Sequence, residues 1–251
     1  MRRARDIVGL ALAAAGVAFV VARLAGEWDD VRRALGDARP GLLMAAVALA
    51  AVALALVGAL WGVILRRLGA AVQTADAVRW FFVGEIAKYV PIGIGGVVGR
   101  AEVAVRGGVP RPVAYRSVLL SLLAFYALVP ALPAWIAVGG ATGLVAHAVG
   151  GDVDLVRIGV ATWASWAAGF VAFGAPSGIG VREAVFVELC GLPAGVGAAT
   201  ALLARATFMV VDLLGALVCQ SRVMPRRPAQ ASSAMRRAST SGSKSWPFTN
   251  Q

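Results

Sequence analysis

Long apolar runs, rather than strand alternation or a one-sided helical stripe, dominate the order of residues along the chain. A helix needs about 20 apolar residues to cross a hydrocarbon core about 30 Å thick, and runs of that order recur. Ile7 to Leu24 follows Arg2, Arg3 and Arg5 with no small-residue cleavage pattern before Glu27, so it is expected as a retained first span rather than a signal peptide. Residues 26–40 mix Glu27, Asp29, Asp30 and Asp37 with arginines, which suits a non-cytoplasmic loop or interfacial helix. Gly41 to Leu65 is a second span, stopped by Arg66 and Arg67. Trp80 to Val98 is apolar enough to enter a bilayer but carries Glu85, Lys88, Pro91, Gly93, Gly95 and Gly96, with Gly99 just beyond. Pro removes a backbone donor and Gly loosens a helix, so the freed peptide groups need protein or water around them.

Ala114 to Val149 is interrupted by Pro130, Pro133, Gly139 and Gly140, and admits one tilted span or two short ones. Two are expected, because that count returns both termini to the cytoplasm. Asp152 and Asp154 end this run, Leu155 to Gly174 reads as a further span, Ala175 to Cys190 as a second broken stretch, and Val196 to Val218 as the last span. The pattern predicts an all-α, polytopic transmembrane bundle of about six spans over residues 1–220, followed by a disordered, basic cytoplasmic tail at 221–251.

Composition agrees. The 251 residues are 59% hydrophobic and 15% charged with a mean hydropathy of +0.78, against about 45 to 50% apolar for soluble domains. The formal charge of +11 is unevenly placed: Arg222, Arg226, Arg227, Arg236, Arg237 and Lys244 close the chain without an acid among them. A polybasic segment beside a span marks the cytoplasmic side and can rest on anionic lipid, so membrane lipid and not nucleic acid is the expected partner. Cys190 and Cys219 sit in apolar surroundings, and His147 has no Cys, Asp or Glu at ligand spacing, so neither a metal nor a cofactor is expected. The glycines from Gly93 to Gly99 do not follow G-x-G-x-x-G. The bias toward Ala, Gly and Arg is that of a GC-rich bacterial genome, which points to the plasma membrane.

The two broken stretches repeat each other. Pro91, Gly93, Ile94 and Gly95 recur as Pro176, Gly178, Ile179 and Gly180; Trp80 and Trp166 precede them, and Arg100 with Glu102, then Arg182 with Glu183, follow. Paired Gly and Pro interruptions in two halves are expected of an inverted repeat whose broken helices aim their dipole ends at a bound ligand.

These residues resemble a known family. Lys88-Tyr89-Val90-Pro91 with Gly93, Gly95 and Arg100 looks like the Lys-Tyr-x-Pro-Gly segment of the lysylphosphatidylglycerol synthase transmembrane region, a group of flippase-like membrane proteins. Pro176 to Glu183 is similar to its second signature, Pro-Gly-Gly-x-Gly-x-Arg-Glu, and Arg205 matches an Arg expected in the last span. Ile92 and Ser177 replace the glycine that usually follows each Pro, and residues 120–124 lack the charged groups usual there. The resemblance implies the lipid-translocating module alone, without the soluble aminoacyltransferase domain to which it is often joined and so without lipid synthesis. With only Glu85, Glu183 and Glu188 on offer as acid or base, and no His or paired carboxylates beside them, no enzyme activity is expected.

A charge in the hydrocarbon costs about 2.5 to 3.5 kcal/mol and usually faces a partner or a wet cavity. Glu85 and Lys88 share a helix face and either pair or line a headgroup cavity, together with Tyr89. Arg100 and Arg182 close the two broken stretches, and guanidinium can grip a lipid phosphate through two parallel hydrogen bonds. Arg205 and Asp212 lie seven apart on one face of the last span and are expected to pair with each other. The expected headgroup site is thus Glu85, Lys88, Tyr89, Arg100, Arg182, Glu183 and Arg205, framed by Pro91, Gly93, Gly95, Pro176, Gly178 and Gly180. The function expected is translocation of an anionic or aminoacylated phospholipid, or of a polyprenyl-linked lipid. The alternative is a non-transporting accessory subunit of a membrane glycosyltransferase or lipid-modifying enzyme.

Overall fold

The computed structural model describes residues 28–89, 95–172, 178 and 180–223, and every regular element among them is helical. The expected first span at 7–24 and nearly all of the expected tail lie outside the described residues, although the last helix continues to Val223. The helices are α1 (Trp28–Gly36), α2 (Pro40–Arg67), α3 (Thr74–Glu85), α4 (Gly95–Arg106), α5 (Arg111–Tyr126), α6 (Leu132–Ala148), α7 (Leu155–Val171), α8 (Val181–Leu189) and α9 (Ala194–Val223). Among the described residues three courses are long and apolar enough to cross a membrane: Pro40–Arg67, Val129–Ala148 and Ala194–Gln220.

Local chemistry fixes the helix ends. Pro40 opens α2, where its fixed φ suits the first turn and its missing N–H leaves no orphan donor. Gly69, at φ +86°, closes it: the Gly69 N–H donates to Arg66 O at 3.0 Å and the Ala70 N–H to Leu65 O at 3.0 Å. This pair of bonds satisfies the last carbonyls and needs a left-handed residue that glycine supplies cheaply. Asp154 caps α7 by accepting from the N–H groups of Val156 and Arg157 at 2.9 and 3.1 Å.

Contacts along α2 give the topology. The Arg39 N–H donates to Ala148 O at 3.0 Å, Gly140 lies against Leu49, and Trp61 Nε1 donates to Ser117 Oγ at 2.9 Å. The start of α2 therefore meets the end of α6, and its far end meets the start of α5. Helices α5 and α6 follow one another along α2, broken at 127–131, rather than doubling back as two side-by-side spans would. The α3/α4 pair starts and finishes at the Arg66 end, since Trp80 packs on Gly107 and Gly84 on Arg100. The α7/α8 pair starts and finishes at the opposite end, since Leu155 packs on Gly143 and Arg157 on Gly191. Leu155–Val171, where a span is expected at 155–174, has 17 residues, about 25 Å at 1.5 Å per residue, and packs with α8 as a helix pair. Helix α9 runs from the α7/α8 end back toward the α3 end, with Gly215 on Phe82.

Alanines make up much of the interior, beside larger residues such as Trp61, Leu65 and Ile158, and large apolar side chains cover much of the exterior. Ala46, Ala50, Ala53, Ala101, Ala114, Ala141, Ala161 and Ala199 are buried, whereas Met44, Leu123, Ile136, Val156, Leu217 and Val218 are exposed. Small residues let helix backbones approach closely without a hydrophobic driving force between them. One polar clamp joins α2 to α5. Ser117 is fully buried, accepts from Trp61 and donates to Ala114 O at 2.7 Å. Ser117→Ala leaves the buried indole N–H without its acceptor and is expected to cost about 1 to 3 kcal/mol in unfolding in detergent micelles. The exposed neighbour Arg116→Ala is expected to shift stability by less than about 0.5 kcal/mol; equal effects would refute the clamp.

Candidate functional site

The first helix pair carries a closed charge network. Helix α3 ends at Glu85 and a 3-10 turn, Ile86–Tyr89, follows it. That turn swings Lys88 and Tyr89 toward α9. Lys88 Nζ lies 2.9 Å from Glu85 Oε2 and 2.7 Å from Asp212 Oδ2, and the Tyr89 hydroxyl donates to the same Asp212 oxygen at 2.7 Å. Arg100, on α4 and 5% exposed, places Nε 3.0 Å from Glu85 Oε1. That contact is an ion pair without hydrogen-bond alignment, since Nε has no hydrogen-bond partner. Asp212 is fully buried, and its second oxygen, Oδ1, has no hydrogen-bond partner. Each charge in this group has an opposite one beside it, which offsets much of the cost of taking it from water.

The second pair is arranged differently. Gly180, at φ +84°, turns the chain into α8, and its N–H donates to Glu183 Oε2 at 2.8 Å. The other Glu183 oxygen pairs closely with Arg205 Nη1 of α9. Arg182, one residue earlier, stacks on the Trp166 ring of α7 with its guanidinium carbon 4.2 Å from the centroid. Among the described residues no carboxylate is paired with Arg182. A guanidinium stacked over an indole face is well held while its in-plane N–H groups stay free to donate sideways.

A shared packing device sits under both arginines. A Cβ on Gly84 would meet Arg100 Cα at 2.6 Å, and one on Gly169 would collide with the Arg182 side chain. These glycines are 85 positions apart, the same offset that relates Pro91 to Pro176 and Gly95 to Gly180. Gly95 is the first residue of α4, and Gly180 immediately precedes α8.

The tips of the two pairs meet at adjoining cavities. The first, about 30 Å³, is lined by Thr142, Thr162, Ser165, Arg182, Glu183 and Arg205, with Trp166 and Phe208. The second, about 20 Å³, has Lys88, Tyr89, Arg182, Arg205 and Asp212 around it, with Trp166 and Phe208 again shared. Each is large enough for one or two water molecules. Of the residues expected at a headgroup site, Lys88, Tyr89, Arg182, Glu183 and Arg205 line these cavities, whereas Glu85 and Arg100 stand behind them as a buried pair. Gly95, Gly178 and Gly180 flank the tips; Pro91, Gly93 and Pro176 lie outside the described residues.

The expected Arg205–Asp212 pair is replaced by two pairs with different partners. Seven helical residues separate Cα atoms by about 10.5 Å along the axis, too far for the short Asp side chain to bridge easily, although both face inward. Arg205 reaches Glu183 of the second helix pair and Asp212 reaches Lys88 of the first. Trp166, Thr142, Thr162, Ser165 and Phe208 were not expected at the site. The repeat position of Trp166 was their only sequence signal. Compared with known families, characterised proteins and solved structures, the chain matches none.

Proposed function

We propose that the chain is an integral membrane protein that binds a phospholipid or aminoacylated-lipid headgroup and carries it between leaflets along the seam where the two helix pairs meet. In this reading α2, the α5–α6 course and α9 cross the bilayer, and the pairs α3/α4 and α7/α8 dip into it from opposite faces as an inverted repeat. The exposed Leu, Val and Ile side chains on these helices support it, because such a surface suits lipid and not water. Charge supports an orientation as well. Among the described residues Arg66, Arg67, Arg79, Arg106, Arg111 and Arg116 gather at one end with Asp76 and Glu102, and the opposite end holds Asp29, Asp37, Asp152, Asp154 and Glu188 beside Arg32, Arg33, Arg39 and Arg157. The positive-inside rule makes the first end cytoplasmic, and α9 finishes there.

The observation that carries the proposal is Arg182. A cation at the meeting point of two broken stretches, stacked on an indole and facing two cavities, is costly inside a bilayer unless something anionic visits it. The cavities, about 30 and 20 Å³, are too small for a headgroup in this arrangement, so transport requires the helix-pair tips to part from α9. The Lys88–Asp212 and Glu183–Arg205 pairs are the contacts that must open.

The test is lipid scrambling in proteoliposomes with headgroup-labelled phosphatidylglycerol and its lysyl ester. The wild type is expected to move label across, Arg182→Ala to fall to the empty-liposome rate, and Arg116→Ala to match the wild type. A wild type indistinguishable from empty liposomes for both lipids would remove the proposal and favour the accessory-subunit reading.

A further inference from the structure

The headgroup that fits this site can be narrowed by its charge and hydrogen-bonding complement. Among the described residues inside the bundle, four cations, Lys88, Arg100, Arg182 and Arg205, face three carboxylates, Glu85, Glu183 and Asp212, which leaves one positive charge. Every carboxylate is already engaged. Glu85 holds Lys88 and Arg100, and Glu183 holds Arg205 and the Gly180 N–H. Asp212 holds Lys88 and Tyr89 through one oxygen, and the other is buried. An ammonium group entering either cavity would meet a net positive interior, and the acids that line the cavities, Glu183 and Asp212, each already hold a cation.

The first cavity nevertheless offers acceptors of another kind. The hydroxyls of Thr142, Thr162 and Ser165 each donate to their own helix, to Val138 O at 3.0 Å, Ile158 O at 2.7 Å and Thr162 O at 2.8 Å. Their protons are spent, so what they present to the cavity is oxygen lone pairs. Such a wall accepts from hydroxyl groups, while Arg182 beside it donates to a phosphate.

We propose that the site selects a singly anionic phosphodiester whose headgroup carries hydroxyls, such as a glycerol or sugar, and discriminates against amine-bearing and aminoacylated headgroups. This rests on the translocation reading, and it narrows the ligand to one of the classes that reading admits. The phosphate neutralises the one surplus charge at Arg182, and the hydroxyls donate to Thr142, Thr162 and Ser165. A lysyl ester adds positive charge to an interior that already carries a surplus, and a phosphate monoester brings a second negative charge beyond the one that surplus balances.

The test uses the full-length protein in detergent, with retention of headgroup-labelled phosphatidylglycerol as the readout. Competitors are unlabelled phosphatidylglycerol, its lysyl ester, phosphatidylethanolamine, phosphatidic acid and the water-soluble diester glycerophosphoglycerol. Unlabelled phosphatidylglycerol is expected to compete on the order of tenfold better than either amine-bearing lipid, the scale of one unmatched charged hydrogen-bonding group. Arg182→Gln is expected to abolish retention and Arg182→Lys to keep part of it, which separates loss of the site from loss of the fold. The double variant Thr162→Val, Ser165→Ala is expected to narrow the preference while leaving phosphate-dependent retention in place. Equal or better competition by the lysyl ester overturns the headgroup assignment and leaves lipid translocation standing. Retention of no lipid at all removes the translocation reading. Competition by glycerophosphoglycerol as strong as by the intact lipid upholds the headgroup chemistry and makes the ligand a soluble diester.

Discussion

Asp212→Ala is expected to lower the unfolding free energy by about 3 to 5 kcal/mol, the range for breaking a buried ion pair from one side. The substitution withdraws the acceptor for both Lys88 Nζ and the Tyr89 hydroxyl, each 2.7 Å away. Lys88 keeps Glu85, but Glu85 is then shared by two cations, Lys88 and Arg100, with no second acid. The excess charge is what makes the loss large, and that is separable from lost packing. Adding Lys88→Met to Asp212→Ala restores local neutrality and is expected to recover a substantial part of the loss. Denaturation of the variants in mixed micelles, arranged as a double-mutant cycle, measures the coupling. If the two losses simply add, Lys88 and Asp212 are not coupled and the latch between the first helix pair and α9 does not exist.

Gly84→Ala is the second large effect. Its new Cβ would lie 2.6 Å from Arg100 Cα and 2.8 Å from Arg100 N, both backbone atoms that no rotamer change can move. Overpacking of this kind costs about 1 to 3 kcal/mol, and a collision with backbone belongs at the upper end. Replacing Gly by Ala inside a helix contributes about 1 kcal/mol in the opposite direction. Sterics win, with a net loss of about 2 kcal/mol. Gly41→Ala is the matching control, since nothing lies within 4 Å of its Cβ position, and there the helix term alone is expected to stabilise by less than about 1 kcal/mol. Opposite signs for the two substitutions in thermal unfolding are the expected result; a neutral Gly84→Ala would mean that α3 and α4 are not in contact there.

What could be read from the sequence was what depends on neighbours along the chain. The run Gly41 to Leu65 with its Arg66 and Arg67 stop corresponds to α2, and the Gly and Pro punctuation located both helix breaks, because periodicity and backbone chemistry are local. The division of labour between the two arginines could not be read. Arg100 and Arg182 each follow a stretch broken by Gly and Pro, yet one is enclosed by Glu85 and the other rests on Trp166. Spacing says which residues share a face and is silent on which acid lies across the interface. The same limit explains Arg205 and Asp212: both were seen to point inward on one face, while their partners come from separate helix pairs. The break at 127–131 was visible in Pro130, but whether the chain turns back there depends on Trp61 and Ser117, 56 residues apart.

The bond between Tyr89 and Asp212 spans 123 residues, and this has a consequence for how the chain is made. Synthesis delivers the N-terminal segments first, so the first helix pair, with Glu85, Lys88 and Arg100, is made long before the second acid exists. Glu85, three residues from Lys88, acts as a temporary counter-ion through that interval. Only the arrival of α9 relieves it, which makes the last helix the step that commits the half-assembled protein to its finished form.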